Sequence, residues 1–388
     1  LKPIPSRHKT HLHCRDMALA GVLVVDLTHV VAGPMATKIL RDLGARVLKI
    51  ENPKLEGPPG DVTRYFEPRD TRGASVYFAM LNCGKESIML QLDPKLEGTA
   101  ADRELFEAML SKADVLVENF RPGVLDTLGY SWEKLHNSYP RLILASLSGF
   151  GQTGPYAHRK AVDTIVQGMS GFVASTGFED RPVKVGTTVS DLLAGVYCAT
   201  GVLAALHQRS GTGLGSRVDV AMLDTSFAFH AREFANFQVR RSEPPRLGNM
   251  SPIGVYPFDV FACKCGKSFA VNCARDSDFA TFCTVLGLPE LPEDPRFSQP
   301  RARWANREEL QAEIAAQSRL WDRDALLNKL FELRGSRSFP VGPVNSFGEI
   351  ARDPQIHHRG MLRETQSGRF MVVGNPIKIM GGDEPAVL

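Results

Sequence analysis

An α/β fold is predicted: a large domain built on a Rossmann-like parallel sheet, with a smaller α+β domain following it. Short apolar runs alternate with helical stretches through the first half of the chain, and strands separated by helices need crossover connections that leave them parallel. Beyond about residue 225 the texture changes to paired strand-like runs around a Cys-Gly-Lys turn, followed by helices. The 388 residues, 43% hydrophobic and 23% charged, supply core enough for two domains.

Residues 22–26 read as a buried strand, 34–43 as a helix with Pro34 in its first turn, and 45–51 as a second strand. A helix over 102–113 leads to a strand at 115–117, a short helix near Val124 and a strand at 142–147. Residues 192–206 are nearly all apolar or small, which predicts a buried helix with Ser190 or Asp191 at its start. Later, 217–220 and 255–262 look like strands, 268–271 pairs with the latter, and helices follow from Asp276 and Asn306. Pro340-Val341-Gly342-Pro343-Val344 and a strand at 370–373 are expected in a segment that returns to the first domain. The implied division is a leader at 1–16, the large domain at 17–210, a linker at 211–224, the small domain at 225–330 and the returning segment at 331–388.

Composition restricts the function classes. Net charge of +3 with no long basic block argues against nucleic acid. No run approaches eighteen uninterrupted apolar residues, so no membrane association is expected. Seven cysteines, odd in number and mostly in apolar contexts such as Val196-Tyr197-Cys198-Ala199, predict reduced thiols and a cytoplasmic protein. Cys263 and Cys265, with Cys273 and Cys283, read as half-buried strand cysteines, and no metal is expected. Residues 1–16 carry four Lys or Arg and three His against one acid with no apolar period, which reads as a disordered leader. If it is the end of a presequence, the location becomes the mitochondrial matrix.

Gly149-Phe150-Gly151-Gln152-Thr153-Gly154 follows a strand-like run and satisfies G-x-G-x-x-G, which raises an NAD-dependent oxidoreductase. That pattern binds a pyrophosphate only where a helix starts within it. Here Pro155 intervenes, no helical period begins until about Asp163, and the nearest acids, Glu179 and Asp180, sit in a polar turn. The glycines therefore read as a turn with another purpose.

Three stretches together strongly resemble the class III coenzyme A transferases of the CaiB/BaiF type: "VVDLTHVVAGPMATKILRDLGARVLKIENP", "ADVLVENFRPGVLDTLGYSW" and "SLSGFGQTGPYAHRKAVDTIVQGMSG". The family includes formyl-CoA transferase and the related α-methylacyl-CoA racemases, and the likeness runs from about Gly21 to the end. The resemblance implies that Asp191 is the catalytic carboxylate and that coenzyme A is contacted by Val30, Val31, Ala32, Leu90, Asn119, Phe120 and Lys160. Gly149, Gly151 and Asp163 would support the site. It further implies an acyl-CoA thioester and a small carboxylic acid as substrates, no permanently bound cofactor, and a homodimer whose two chains interlock.

The residues themselves agree at Asp191. A carboxylate at the start of an apolar helix is stabilised by unpaired N–H groups and the helix dipole, although an ordinary N-cap aspartate has the same signature. Partly desolvated, it can attack a thioester and end as an aspartyl-CoA thioester. Racemases of the family carry a histidine immediately before the Asp163 position; here Val162 stands there and cannot act as a base, while His158 lies four residues earlier. Asp163 would orient the loop or cap the helix that follows it. "YFAMLNCGKESI" and "LGYSWEKL" are similar to formyl-CoA:oxalate transferases, but the family's run of four glycines is replaced by Arg246-Leu247-Gly248-Asn249-Met250-Ser251-Pro252, closer to transferases for dicarboxylates. Asn52 and Thr127 stand where some relatives carry basic residues.

Overall fold

The computed structural model describes residues 17–53, 58–365, 368, 370–381 and 384–385. The expected leader lies outside them. The chain divides into one unit of residues 1–173, 184–239 and 354–388 and another of 174–183 and 240–353.

In the first unit six strands form a parallel sheet: β1 (Leu23–Asp26), β2 (Arg46–Glu51), β3 (Glu86–Met89), β4 (Val115–Glu118), β5 (Ile143–Ser148) and β6 (Arg217–Ala221), in the order β3-β2-β1-β4-β5-β6. Val24 of β1 stands between Val47 of β2 and Val115 of β4. Successive side chains of a strand point to opposite faces, and both faces are covered. Val24 joins the core beneath helices α1 (Ala32–Asp42) and α5 (Val189–Thr212), while its neighbour Val25 joins a second core with Phe106, Leu116, Tyr130 and Leu144. Two covered faces are why β1, β4 and β5 read as continuous apolar runs rather than as alternation. Between α1 and α5 in chain order come α2 (Val76–Asn82), α3 (Ala100–Leu110) and α4 (Asp163–Ser170). Gly195 lets α5 lie against the start of α1, since a Cβ there would stand 2.7 Å from the carbonyl oxygen of Ala32.

Residues 211–224, expected as a linker, contain instead the end of α5, the whole of β6 and the start of α6 (Met222–Ala228). The strand pairs in parallel with β5, Leu144 against Arg217. As an edge strand it leaves alternate residues exposed, so its polar-apolar alternation mimics the later domain. The next helix, α7 (Ala231–Arg240), also falls in the first unit up to residue 239, so the smaller unit starts later than 225. Helix α5 is not buried all round: Val196 and Tyr197 are 44% and 42% exposed. By length and composition it would pass for a membrane span.

The second unit has a three-stranded antiparallel sheet, with β8 (Ser268–Asn272) between β7 (Phe258–Ala262) and β9 (Val341–Val344). Its core gathers Phe261, Phe269, Phe282, Leu310 and Leu326 from the sheet and from helices α8 (Asp276–Leu286), α9 (Arg307–Ser318) and α10 (Arg323–Phe331). The Pro-Val-Gly-Pro-Val segment thus belongs here and not to the first domain; a proline is tolerated because β9 is an edge. Only residues from 354 on fall in the first unit, including the hairpin of β10 (Leu362–Glu364) and β11 (Met371–Val373). Cys263, Cys273 and Cys283 are buried in this second core and Cys265 is exposed. Among the described residues no group of three or more His, Cys, Asp or Glu is placed to hold a metal.

Candidate active site

The strand order reverses between β1 and β4, and in open parallel sheets the chains leaving such a pair part to form a crevice at the carboxyl ends of the strands. Here the two loops are stitched together. The His29 N–H donates to Asn119 Oδ1 at 2.8 Å, and Asn119 Nδ2 donates back to the His29 carbonyl at 2.8 Å. Above them opens a cavity of about 450 Å³, walled by His29, Val30, Val31 and Ala32, by Asn119, Phe120, Arg121 and Pro122, and by Gly149, Asp163, Lys184 and Asp191.

Asp191 lies in the first turn of α5, whose N-cap is Thr188 with no side-chain cap. The cap comes from elsewhere: buried Asp163 accepts the Ser190 N–H at 3.0 Å on one oxygen and Gln167 Nε2 at 2.7 Å on the other. Gln167 in turn accepts the Val185 N–H at 2.9 Å, which fixes the approach to the helix. Asp163 therefore caps α5, not the helix it begins. The Asp191 carboxylate makes none of the described hydrogen bonds. Burial, with the negative charge of Asp163 added, pushes its acid up to about 7. The same two carboxylates, after burial, raise the Tyr77 phenol on the wall of the same cavity.

A second cavity of about 590 Å³ shares His29 and Phe120 with the first and is walled also by Leu90, Gln91, Leu92, Asn52 and Val124. Of the expected residues, Val30, Val31, Ala32, Asn119, Phe120, Gly149, Asp163 and Asp191 meet at the first cavity, and Leu90 and Phe120 at the second. Lys160 is exposed and lines neither, and Gly151 stands back from both, its N–H bonded to Ser148 Oγ at 2.9 Å. A Cβ on Gly149 would come within 2.1 Å of the Ala161 Cβ, so this glycine allows a close approach of two loops. After Gly154 the chain runs through turns until α4 begins at Asp163, so no helix N-terminus receives a pyrophosphate. Val162 is 63% exposed and His158 lines neither cavity.

Sequence reasoning missed Tyr77, Arg121, Arg159 and Lys184 on the cavity wall, because nothing local marks a residue that converges only through the fold. It also missed the charges beneath. Lys85 lies 3.1 Å from Asp26, and Lys49 lies 3.2 Å from Asp61, all four side chains buried. Burial opposes ionisation of Asp26, yet Lys85, Lys49 and the hydroxyls of Thr28 and Thr37 hold its carboxyl below the usual range. Burial, with the Lys49 ammonium added, pushes the His29 imidazole down, which favours the neutral ring. Glu118, which ends β4, is driven up to about 7 chiefly by burial.

Residues 19–385 match the model of CoA-transferase family III. The chain is 46% identical to an acetyl-CoA:oxalate CoA-transferase of Acetobacter aceti, covering 94% of this chain and 90% of that one. It is 36% identical to a succinate–glutarate CoA-transferase of Agrobacterium fabrum, over 91% and 86% of the two chains. A solved CaiB/BaiF family protein from Brucella suis superposes with a TM-score of 0.84 at 35% identity, covering 95% of this chain and 94% of that one. With a match of this extent, the chain belongs to CoA-transferase family III and is an enzyme that uses CoA thioesters as substrates.

Proposed function

We propose that this enzyme moves coenzyme A from an acyl-CoA donor to a short dicarboxylic acid through an aspartyl-CoA thioester on Asp191. One observation carries the reading: the uncommitted Asp191 carboxylate opens into the cavity formed where the loops after β1 and β4 part. In the first step it attacks the thioester carbonyl, giving an aspartyl-acyl anhydride and CoA thiolate. The thiolate then attacks the aspartyl carbonyl, which releases the donor acid and leaves CoA on the enzyme. The acceptor carboxylate repeats the sequence in reverse, forming its own anhydride and then its own CoA ester. Partial desolvation makes the carboxylate a better nucleophile than a solvated one, at the expense of ionising only above about pH 7.

Support for a dicarboxylate comes from Arg121, Arg159 and Lys184 on the wall, none of which is paired to an acid among the described residues, and from relatives named for oxalate, succinate and glutarate. In this reading the parallel sheet is a Rossmann-like CoA platform, with the loops at 30–32 and 119–120 against the nucleotide and Leu90 in the second cavity. The protein works as a homodimer in the cytoplasm, apart from membranes and nucleic acid and without a resident cofactor. The aromatic residues that α6 and α7 leave exposed support the dimer. No observation favours a racemase, since an aliphatic side chain occupies position 162.

Incubation with succinyl-CoA and no acceptor should add CoA to the peptide containing Asp191, and hydroxylamine should remove it. Asp191→Ala should show no adduct and lose at least about 1000-fold in turnover with its fold intact. Retention of a tenth of wild-type transfer, about 1.4 kcal/mol in barrier, would overturn the assignment. A panel of acids scored by mass spectrometry for new CoA esters would identify the acceptor.

A further inference from the structure

We infer that the buried Lys49 and Asp61 pair is a positioning device that holds Val30 in a left-handed conformation, so that the loop after β1 presents a fixed backbone to coenzyme A. The inference rests on the CoA-binding reading above. Val30 has φ of 67°, a region that a β-branched residue enters only when its surroundings insist on it. The surroundings can be named. The Asp61 carboxylate accepts the Val30 N–H at 3.3 Å on each oxygen, and the same carboxylate is fixed by the Thr63 N–H at 3.0 Å and the Thr63 hydroxyl at 2.8 Å. Lys49 Nζ lies 3.2 Å from Asp61 and donates to the Thr28 carbonyl at 2.5 Å. Thr28 also gives its N–H to Asp26 at 2.8 Å, and His29 is tied to Asn119.

Three consecutive residues, 28 to 30, are therefore held through their backbone by side chains that come from β1, β2, the turn at residue 61 and the loop after β4. Of these residues His29 lines both cavities and Val30 lines the first. A buried ion pair is a poor device for stability alone, because desolvation consumes most of its attraction. Fixing a strained loop at a cavity wall is a use that these contacts support. Lys49 and Asp61 touch neither cavity, so they act through Val30 and are positioning residues.

The test compares CoA affinity by titration calorimetry in the wild type, in Lys49→Met/Asp61→Ala, and in the same double variant carrying Val30→Gly. Removing both charges leaves no lone buried ion, and glycine enters the left-handed region without help. The double variant is expected to bind CoA at least tenfold more weakly, and addition of Val30→Gly to restore affinity to within about threefold of the wild type. A purely structural pair would lower the melting temperature without any such rescue. If the double variant binds like the wild type, or glycine restores nothing, the positioning role is overturned. If the double variant does not fold, Lys49→Leu/Asp61→Val, which also removes both charges and the acceptor of the Val30 N–H, is read with and without Val30→Gly by the same criterion. A wild type that binds no CoA overturns the CoA reading itself, an outcome distinct from intact binding with an indifferent clamp.

Discussion

Two aspartates bracket the start of one helix and are held in opposite ways. Asp163 spends both oxygens on donors; Asp191 spends neither among the described residues, and burial together with Asp163 raises its acid to about 7. If the carboxylate is the nucleophile, kcat/KM rises with pH through an apparent pKa near 7 and levels off above it. Asp163→Asn keeps an oxygen for the Ser190 N–H but loses the charge, so the acidic limb should move to lower pH; a pH profile that stays in place removes Asp163 as the cause. Stability has its own sign. Folded Asp191 keeps its proton to about pH 7, while the unfolded residue releases it near 3.8, so its contribution is fully present below the lower value and is lost as pH rises toward the upper one. Asp191→Asn should therefore gain melting temperature over the wild type as pH rises from 4 to 8 in scanning calorimetry. The place of Asp191 in the first turn of a helix was legible from the apolar run that follows it. The identity of its cap was not, because the donor and the capping carboxylate are 27 residues apart and no local pattern encodes that meeting.

At the scale of elements, legibility followed burial. Strands β1, β4 and β5, covered on both faces, announce themselves as unbroken apolar runs. Of the edge strands, β6 was expected within a linker and β9 in the other unit, because exposure on one side admits arginine and aspartate in the first and proline in the second. The glycine turn before α4 shows the same limit: its pattern fits a nucleotide loop, and only the space around it reveals a different use. Gly149 is small because the Ala161 segment crosses it. Gly149→Ala must push residues 161–163 aside, and with them the carboxylate that caps α5. The expected cost is about 1–3 kcal/mol of stability from overpacking, with kcat reduced at least tenfold and CoA affinity changed much less. Equal losses in both would place the glycine in the nucleotide contact instead.

For the molecule as a whole, the sequence foresaw two units and a chain that re-enters the first, but located each boundary by texture rather than by contact. What texture could not show is the apolar surface that the first unit leaves uncovered. Phe227 and Phe229 at the end of α6, Phe234 and Phe237 on α7, and Val196 and Tyr197 on α5 are all exposed, Phe229 at 57%. Phe234 bridges Phe227 at 5.2 Å and Phe237 at 6.3 Å between ring centroids, so three of these rings form one patch. Monomers seldom leave contiguous aromatic surface in water, and such patches mark interfaces. A second copy of the chain is the occupant that the dimer proposal requires. Light scattering should then give about twice the chain mass of 42.6 kDa. Phe229→Glu combined with Phe237→Glu places charges on the patch without touching the core, and should shift the mass at low micromolar concentration to that of one chain. Transfer activity should fall with the dimer fraction as the protein is diluted. A wild type that is fully active at the mass of a single chain would end the dimer proposal and leave the aromatic patch to a different partner.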